Sequence, residues 1–291
     1  MENKEKNYYK LYLKYKLKYL SLKKNINGGA YPISEKIMPG LSFGTSSVGG
    51  NINLKNYLND ALNIGYRHID IKERYAHLLN MSIEEYLNII KEEIQNVPRD
   101  KLWITWLGIL PIELVIEKLD CQYIDTVLSP KNFNEEYILE LKSKPELVKN
   151  IGIENIYDFN IINEHKEKYN INTLQIQAKL EFDELIQNCN SIGVKVQLYA
   201  INSPIWNAQI FDNTIPENAI DRNMLAKYFM NKYIPNGNTI IVSSLTGSSI
   251  IPNFENFNSL ILGETIITPD EILTIEENLK KYNQFIKYMG N

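Results

Sequence analysis

From residue 36 onward, short apolar runs alternate with stretches whose apolar residues recur every three or four positions. The runs read as strands and the stretches as amphipathic helices. A hairpin-like segment, KIMPGLSFG, opens the series, followed by a helix in LKNYLNDALNIG, a strand in YRHIDI and a helix in SIEEYLNIIKEEI. The alternation then continues through strands in KLWITWLG, YIDTVLS, NIGIEN, TLQIQAKL, KVQLYAI and TIIVSSL, with a helical pattern after each. A last helix starts after Thr268-Pro269, with Thr268 as N-cap and the proline in the first turn. Eight strand–helix units, whose strands are continuous and apolar, predict a (β/α)₈ TIM barrel rather than a doubly wound sheet. No G-x-G-x-x-G follows the first strand, so the dinucleotide fingerprint of the doubly wound fold is missing. In a barrel the C-terminal strand ends line the active-site mouth, so those positions decide function.

The first thirty residues follow a different pattern. Tyr8, Tyr12, Tyr15, Tyr19 and Leu22 fall on one helical face among lysines, and Gly28-Gly29 would stop the helix. Eight lysines against two glutamates give this arm a charge of +6. The whole chain of 291 residues carries −4, which leaves −10 for residues 31–291. The division expected is therefore a basic amphipathic arm over 1–30 and a barrel over 31–291. Lysines interrupt any apolar core, so the arm is not a secretory signal. A helix on an anionic membrane, a grip on nucleic acid, a docking helix for a partner protein or particle, and packing on the chain's own surface all remain open. The acidic body disfavours nucleic-acid binding through the barrel.

The length suits one barrel-sized domain with a sizeable core, and 44% hydrophobic residues exclude a mostly disordered chain. No run approaches the ~18 apolar residues of a membrane span, so integral membrane association is not expected. Cys121 and Cys189 stand far apart and in no C-x-x-C pattern, which argues for two buried thiols in a reducing, cytoplasmic setting and against a cysteine-built metal site. No metal is expected.

The second strand end reads Gly65-Tyr66-Arg67-His68-Ile69-Asp70, with Tyr75 five residues on. This block resembles the aldo-keto reductase family, which carries G-[YF]-R-H-I-D followed by a spaced catalytic tyrosine. LSFGTSS resembles the family's first strand, Ile151-Gly152-Ile153-Glu154-Asn155 its G-[VI]-S-N, and Tyr199-Ala200 its [AG]-Y-S. The arm, ending in Gly-Gly, resembles the Tyr/Lys-rich leaders of giant-virus (mimivirus-like) proteins, which would place the chain in host cytoplasm or a virion. The double glycine also suggests cleavage after Gly29.

The resemblance implies hydride transfer from a nicotinamide to a carbonyl, with the tyrosine as general acid. Its phenol, ordinarily near ~10, would be lowered by a lysine oriented by an aspartate, with a histidine positioning the carbonyl. Asp70 and Tyr75 match this tetrad, and His68 is by the same likeness a buried structural histidine. The lysine position is Leu107, with no lysine within five residues on either side, and the histidine position is Pro130. Tyr75 is then expected to have Asp70 as a nearby anion and no compensating cation, unless Lys131 reaches across the mouth. Asp70 and Tyr75 would remain as a hydrogen-bonded structural pair.

For the cofactor, NADP(H) or NAD(H) if any is kept, the likeness points to Asn155, Tyr199, Gln177 (or Gln175), Ser248 and Asn256. Against it stand Glu154 in place of the family's serine, Thr246-Gly247 in place of K-S, and Pro252 in place of the arginine that meets the 2′-phosphate. The Gly247-Ser248-Ser249 turn still offers backbone amides to a phosphate. The expected function is a barrel that has lost NADPH-dependent carbonyl reduction, a pseudoenzyme serving as a structural or binding protein. The alternative is an active NAD(P)H-dependent reductase of aldehydes or ketones with Tyr75 as general acid in a rearranged site. Whether 202–222 covers the mouth as a lid or plugs it, and whether Trp206 there packs or meets a ligand, is left open by the sequence.

Overall fold

The computed structural model describes residues 36–46, 54–130, 134–201, 222–242 and 248–289, without the side chains of 222 and 281–289. The arm over 1–30, Lys131, most of 202–222 including Trp206, and Thr246-Gly247 lie outside the described residues. The compact unit that holds the barrel starts at Met38.

Eight parallel strands close into a barrel in sequence order, β1 (Leu41–Gly44), β2 (His68–Lys72), β3 (Trp103–Leu107), β4 (Ile124–Ser129), β5 (Val148–Glu154), β6 (Thr173–Gln177), β7 (Lys195–Tyr199) and β8 (Thr239–Val242). The helices among the described residues are α1 (Leu54–Ile64), α2 (Arg74–Leu78), α3 (Ile83–Ile94), α4 (Ile112–Leu119), α5 (Glu135–Lys142), α6 (Phe159–Tyr169), α7 (Asp183–Ser191), α8 (Arg222–Tyr233), α9 (Ile250–Ile261) and α10 (Pro269–Met289).

Local chemistry explains their ends. Ser82 caps α3 by accepting from the Glu85 amide at 3.1 Å, while Glu84 and Glu85 face the positive end of the helix. Asn134 and Asp158 cap α5 and α6 in the same way. At α10, Thr268 Oγ1 accepts from the Glu271 amide and Glu271 Oε2 accepts from the Thr268 amide at 2.7 Å, a reciprocal box at the expected N-cap.

Two elements differ from expectation. The opening segment holds one strand, β1, and not a hairpin: residues 36–40 lead into it without strand structure, with the Gly40 carbonyl accepting from the Ile240 amide and Met38 Sδ accepting from Gln197 Nε2. The five-residue α2 was not foreseen, being too short to show a period.

Polar side chains fill much of the barrel interior. His68 Nε2 bonds Thr105 Oγ1 at 2.8 Å, Gln197 Nε2 donates to the same hydroxyl at 3.2 Å, and Gln175 Nε2 donates to Gln197 Oε1 at 2.9 Å. His68 is fully buried, as the likeness implied. These layers form a hydrogen-bonded floor below the C-terminal strand ends. Outside, Arg99 and the Ile104 amide converge on Asp125 Oδ2 at 2.6 and 2.8 Å, tying β3 to β4.

Candidate active site at the barrel mouth

Side chains two apart on a strand share a face, so on β2 His68, Asp70 and Lys72 all point inward, each one layer nearer the mouth. Asp70 is fully buried and its Oδ1 accepts from Gln175 Nε2 at 2.8 Å. Burial pushes its carboxyl up from the ordinary value, against the opposing pull of Lys72 and the Gln175 bond. Tyr75, on α2 just beyond the strand, is buried, and burial raises its phenol, with Lys72 pulling the other way and Asp70 adding to the rise. The Tyr75 hydroxyl turns to Ser46 and Arg74. Asp70 and Tyr75 are therefore not the hydrogen-bonded pair expected, because Gln175 takes the carboxylate.

The larger correction is Lys72. Its side chain is 0% exposed and its Nζ donates to Glu154 Oε1 at 2.7 Å. The same nitrogen lies 6.0 Å from the centroid of the Tyr75 ring and 4.3 Å from that of Tyr199. Tyr75 thus has a neighbouring cation, contrary to expectation. Burial alone would lower the Lys72 ammonium, but Asp70, Tyr75 and Glu154 together raise it, so it stays charged. Lys72 is the Cα partner of Leu107 across the β2–β3 ladder. The ammonium sought on the third strand stands level with the family's position, one strand over. The period of two along HIDIK turns Lys72 inward, but only the register between strands shows what stands level with it. Arg74 approaches the same Glu154 oxygen at 3.5 Å from the rim.

The neighbouring wall is apolar: Leu107 is 5% exposed, and Pro130 and the exposed Ile109 stand beside it. The β3–α4 loop is fastened to β2, because Glu73 Oε2 accepts from the Ile109 and Leu110 amides at 2.7 and 3.2 Å. Gly108 permits that approach, since a Cβ there would run into the Glu73 carboxylate.

Of the expected cofactor residues, Asn155, Gln177 and Tyr199 stand together at the ends of β5, β6 and β7, apart from Ser248 and Asn256. Asn155, in the left-handed region at φ 56°, accepts on Oδ1 from Tyr199 Oη at 2.8 Å and from Tyr157 Oη at 3.0 Å. Gln177 is half-buried at the end of β6, level with Tyr199, while Gln175 lies one layer deeper on Asp70. Ser248 is exposed in the turn before α9, Pro252 lies within the first turn of that helix, and Asn256 donates to Asn223 at 2.9 Å. Asp70, Lys72, Tyr75, Glu154 and Tyr199 are brought together; Ser248 and Asn256 belong to a separate edge.

A nicotinamide stacked on the Tyr199 face that Lys72 covers would have to displace the ammonium. An ammonium already lies against that ring, locked to a carboxylate at the position where the family has serine. Among the described residues no three of His, Cys, Asp and Glu gather as a metal-holding group. The Cys121 and Cys189 thiols are unpaired and pushed up by burial, to about 11 and about 12.

Known structures share this architecture. The fold is that of the aldo-keto reductases. An aldo-keto reductase from a Medee basin deep-sea metagenome library is 20% identical, covers 84% of this chain and 94% of its own, and has a TM-score of 0.61. An aldo/keto reductase from Klebsiella pneumoniae, in complex with NADP and acetate, is 15% identical over 84% of this chain and 91% of its own, with a TM-score of 0.63. Aldose reductase from Giardia lamblia is 17% identical over 83% and 92%, with a TM-score of 0.61. No protein-family model matches the chain, and no curated protein matches it. No helix among the described residues is long and apolar enough to cross a membrane.

Proposed function

We infer that this aldo-keto reductase-like barrel no longer reduces carbonyls with NADPH and works as a structural or binding protein. The observation that carries this reading is the Lys72–Glu154 pair, whose ammonium lies 4.3 Å from the Tyr199 ring centroid. A flat ring stacking on that face needs the same space. Displacing the ammonium would leave a buried carboxylate without its partner, which costs several kcal/mol. Leu107 and Pro130 at the lysine and histidine positions, with a phenol at Tyr75 that burial raises, support the same reading.

One observation favours the alternative, reduction of aldehydes or ketones with Tyr75 as general acid. Lys72 stands close enough to Tyr75 to pull its phenol down, as the family's lysine would. Titrating the full chain with NADPH and NADH, followed by calorimetry, separates the two. Absence of binding at about millimolar cofactor is the expected result. Micromolar binding, with aldehyde turnover abolished by Tyr75→Phe, overturns the first reading.

The basic arm over 1–30 completes the proposal as a tether to a partner protein or particle component, in host cytoplasm or a virion. A tyrosine-faced docking helix would hold its partner with little change between ~50 and ~200 mM salt, whereas a lysine grip on nucleic acid would weaken steeply. Intact-mass measurement on natively produced protein tests cleavage after Gly29, and Met1 or Glu2 retained would exclude it.

A further inference from the structure

A cleft of about 490 Å³ opens beside the buried ion pair, between the β2–α2 and β3–α4 connections. Its apolar side is Leu107, Ile109, Pro130, Met81 and Ile83. Its polar side is Glu73, Arg74, His77 and Glu154. Ile109, among its lining residues, is 73% exposed, so the apolar side of the cleft is open to a ligand.

The charges on the polar side are not equally engaged. Glu154 is bonded to Lys72 at 2.7 Å, and Glu73 accepts two backbone amides. Arg74 is different. Its side chain is 53% exposed, its ion pair with Glu154 is 3.5 Å long, and among the described residues it otherwise meets Tyr75, with Tyr199 near enough to act on its charge. Most of its five N–H donors remain for a ligand, in the planar fork that suits a carboxylate.

We propose that this cleft binds a small monocarboxylate with an apolar tail, the head group on Arg74 and the tail against Leu107, Ile109 and Pro130. The proposal deepens the binding-protein reading above and rests on it. In a reductase, Leu107 and Pro130 would be the lysine and histidine that face the reacting carbonyl. Here the same two positions give the tail its wall, and the selecting charge comes from the β2 side.

The test uses the full chain with three probes of one length: hexanoate, hexanamide and hexylamine, followed by calorimetry and by chemical-shift changes. Hexanoate is expected to bind about ten-fold or more tightly than the other two, the usual worth of a charge-assisted pair. Arg74→Met should reduce hexanoate to the level of hexanamide, and Arg74→Lys should restore part of the loss. Ile109→Asn should weaken all three alike. Both sites are exposed, so an unchanged melting temperature serves as the folding control. Hexylamine binding as well as hexanoate, hexanoate unaffected by Arg74→Met, or no hexanoate binding at about 10 mM would each overturn the proposal. A parallel NADPH titration keeps the two readings apart. Hexanoate bound alongside NADPH leaves the cleft standing and removes the non-reductase reading, whereas neither bound does the reverse.

Discussion

The mouth of the barrel has two adjoining walls of opposite character. On the β2 and β5 side, Asp70, Lys72 and Glu154 put three ionisable groups almost wholly out of water. On the β3 and β4 side, Leu107, Leu128 and Pro130 offer no charge at all. The two walls meet where Lys72 pairs with Leu107 in the ladder. The difference teaches that the ladder sets a buried ammonium level with an apolar side chain, so that the charge at this height is delivered from β2 and not from β3. There it faces a phenol and a carboxylate together.

Breaking the charged wall should have the largest effect. Lys72→Met leaves Asp70 buried without a cation and Glu154 with only the longer contact to the half-exposed Arg74, and a loss of about 3–5 kcal/mol is expected in chemical denaturation. Lys72→Met with Glu154→Leu should recover most of that loss, because the carboxylate leaves with its partner. A double variant no more stable than the single one would show that the pair is not what holds this wall. Next comes the apolar wall, where Leu107→Ala should cost about 2–3 kcal/mol through the lost side chain and the cavity it leaves.

The pH dependence sharpens the same contrast. Lys72, Tyr75, Tyr66 and Tyr86 all have proton affinities raised in the folded chain above their ordinary values of 10.5 and 10.0. The folded state therefore holds protons that the unfolded chain releases. Their contribution to stability is complete below about pH 10 and is lost as pH rises through the folded values. Melting temperatures should be flat through neutrality and fall steeply above about pH 10, and the Lys72→Met, Glu154→Leu variant should fall less steeply. The smallest effect belongs outside the mouth: Lys55→Ala removes an exposed, solvent-screened ion pair to Glu92 and should leave the chemical-denaturation midpoint almost unchanged.

Most of the fold was legible because it rests on periodicity, which every β/α unit displays independently. The site was legible only in part. Asp70, Tyr75, Asn155 and Tyr199 stand in recognisable strings, and Leu107 and Pro130 were readable as departures from them. Lys72 was passed over because the missing ammonium was sought along the third strand, and spacing along one strand does not disclose what a neighbouring strand brings level with it. Glu154 was noticed as a carboxylate on the cofactor's path, but its partner lies 82 positions away in the chain. The five residues of α2 carry too few apolar positions to announce a helix, yet they fix Tyr75 and Arg74 at the rim.

The pairing of Lys72 with Leu107 also governs the order in which this barrel could change. A lysine restored at 107 while Lys72 remains would set two ammoniums on paired positions in a dry interior, each driving the other toward its neutral form. Removing Lys72 alone leaves Asp70 buried without a cation and Glu154 with only the long contact to Arg74. Moving the ammonium from β2 to β3 therefore calls for changes at both positions together. The register of one strand pair couples residues 72 and 107 like two seats with a single occupant.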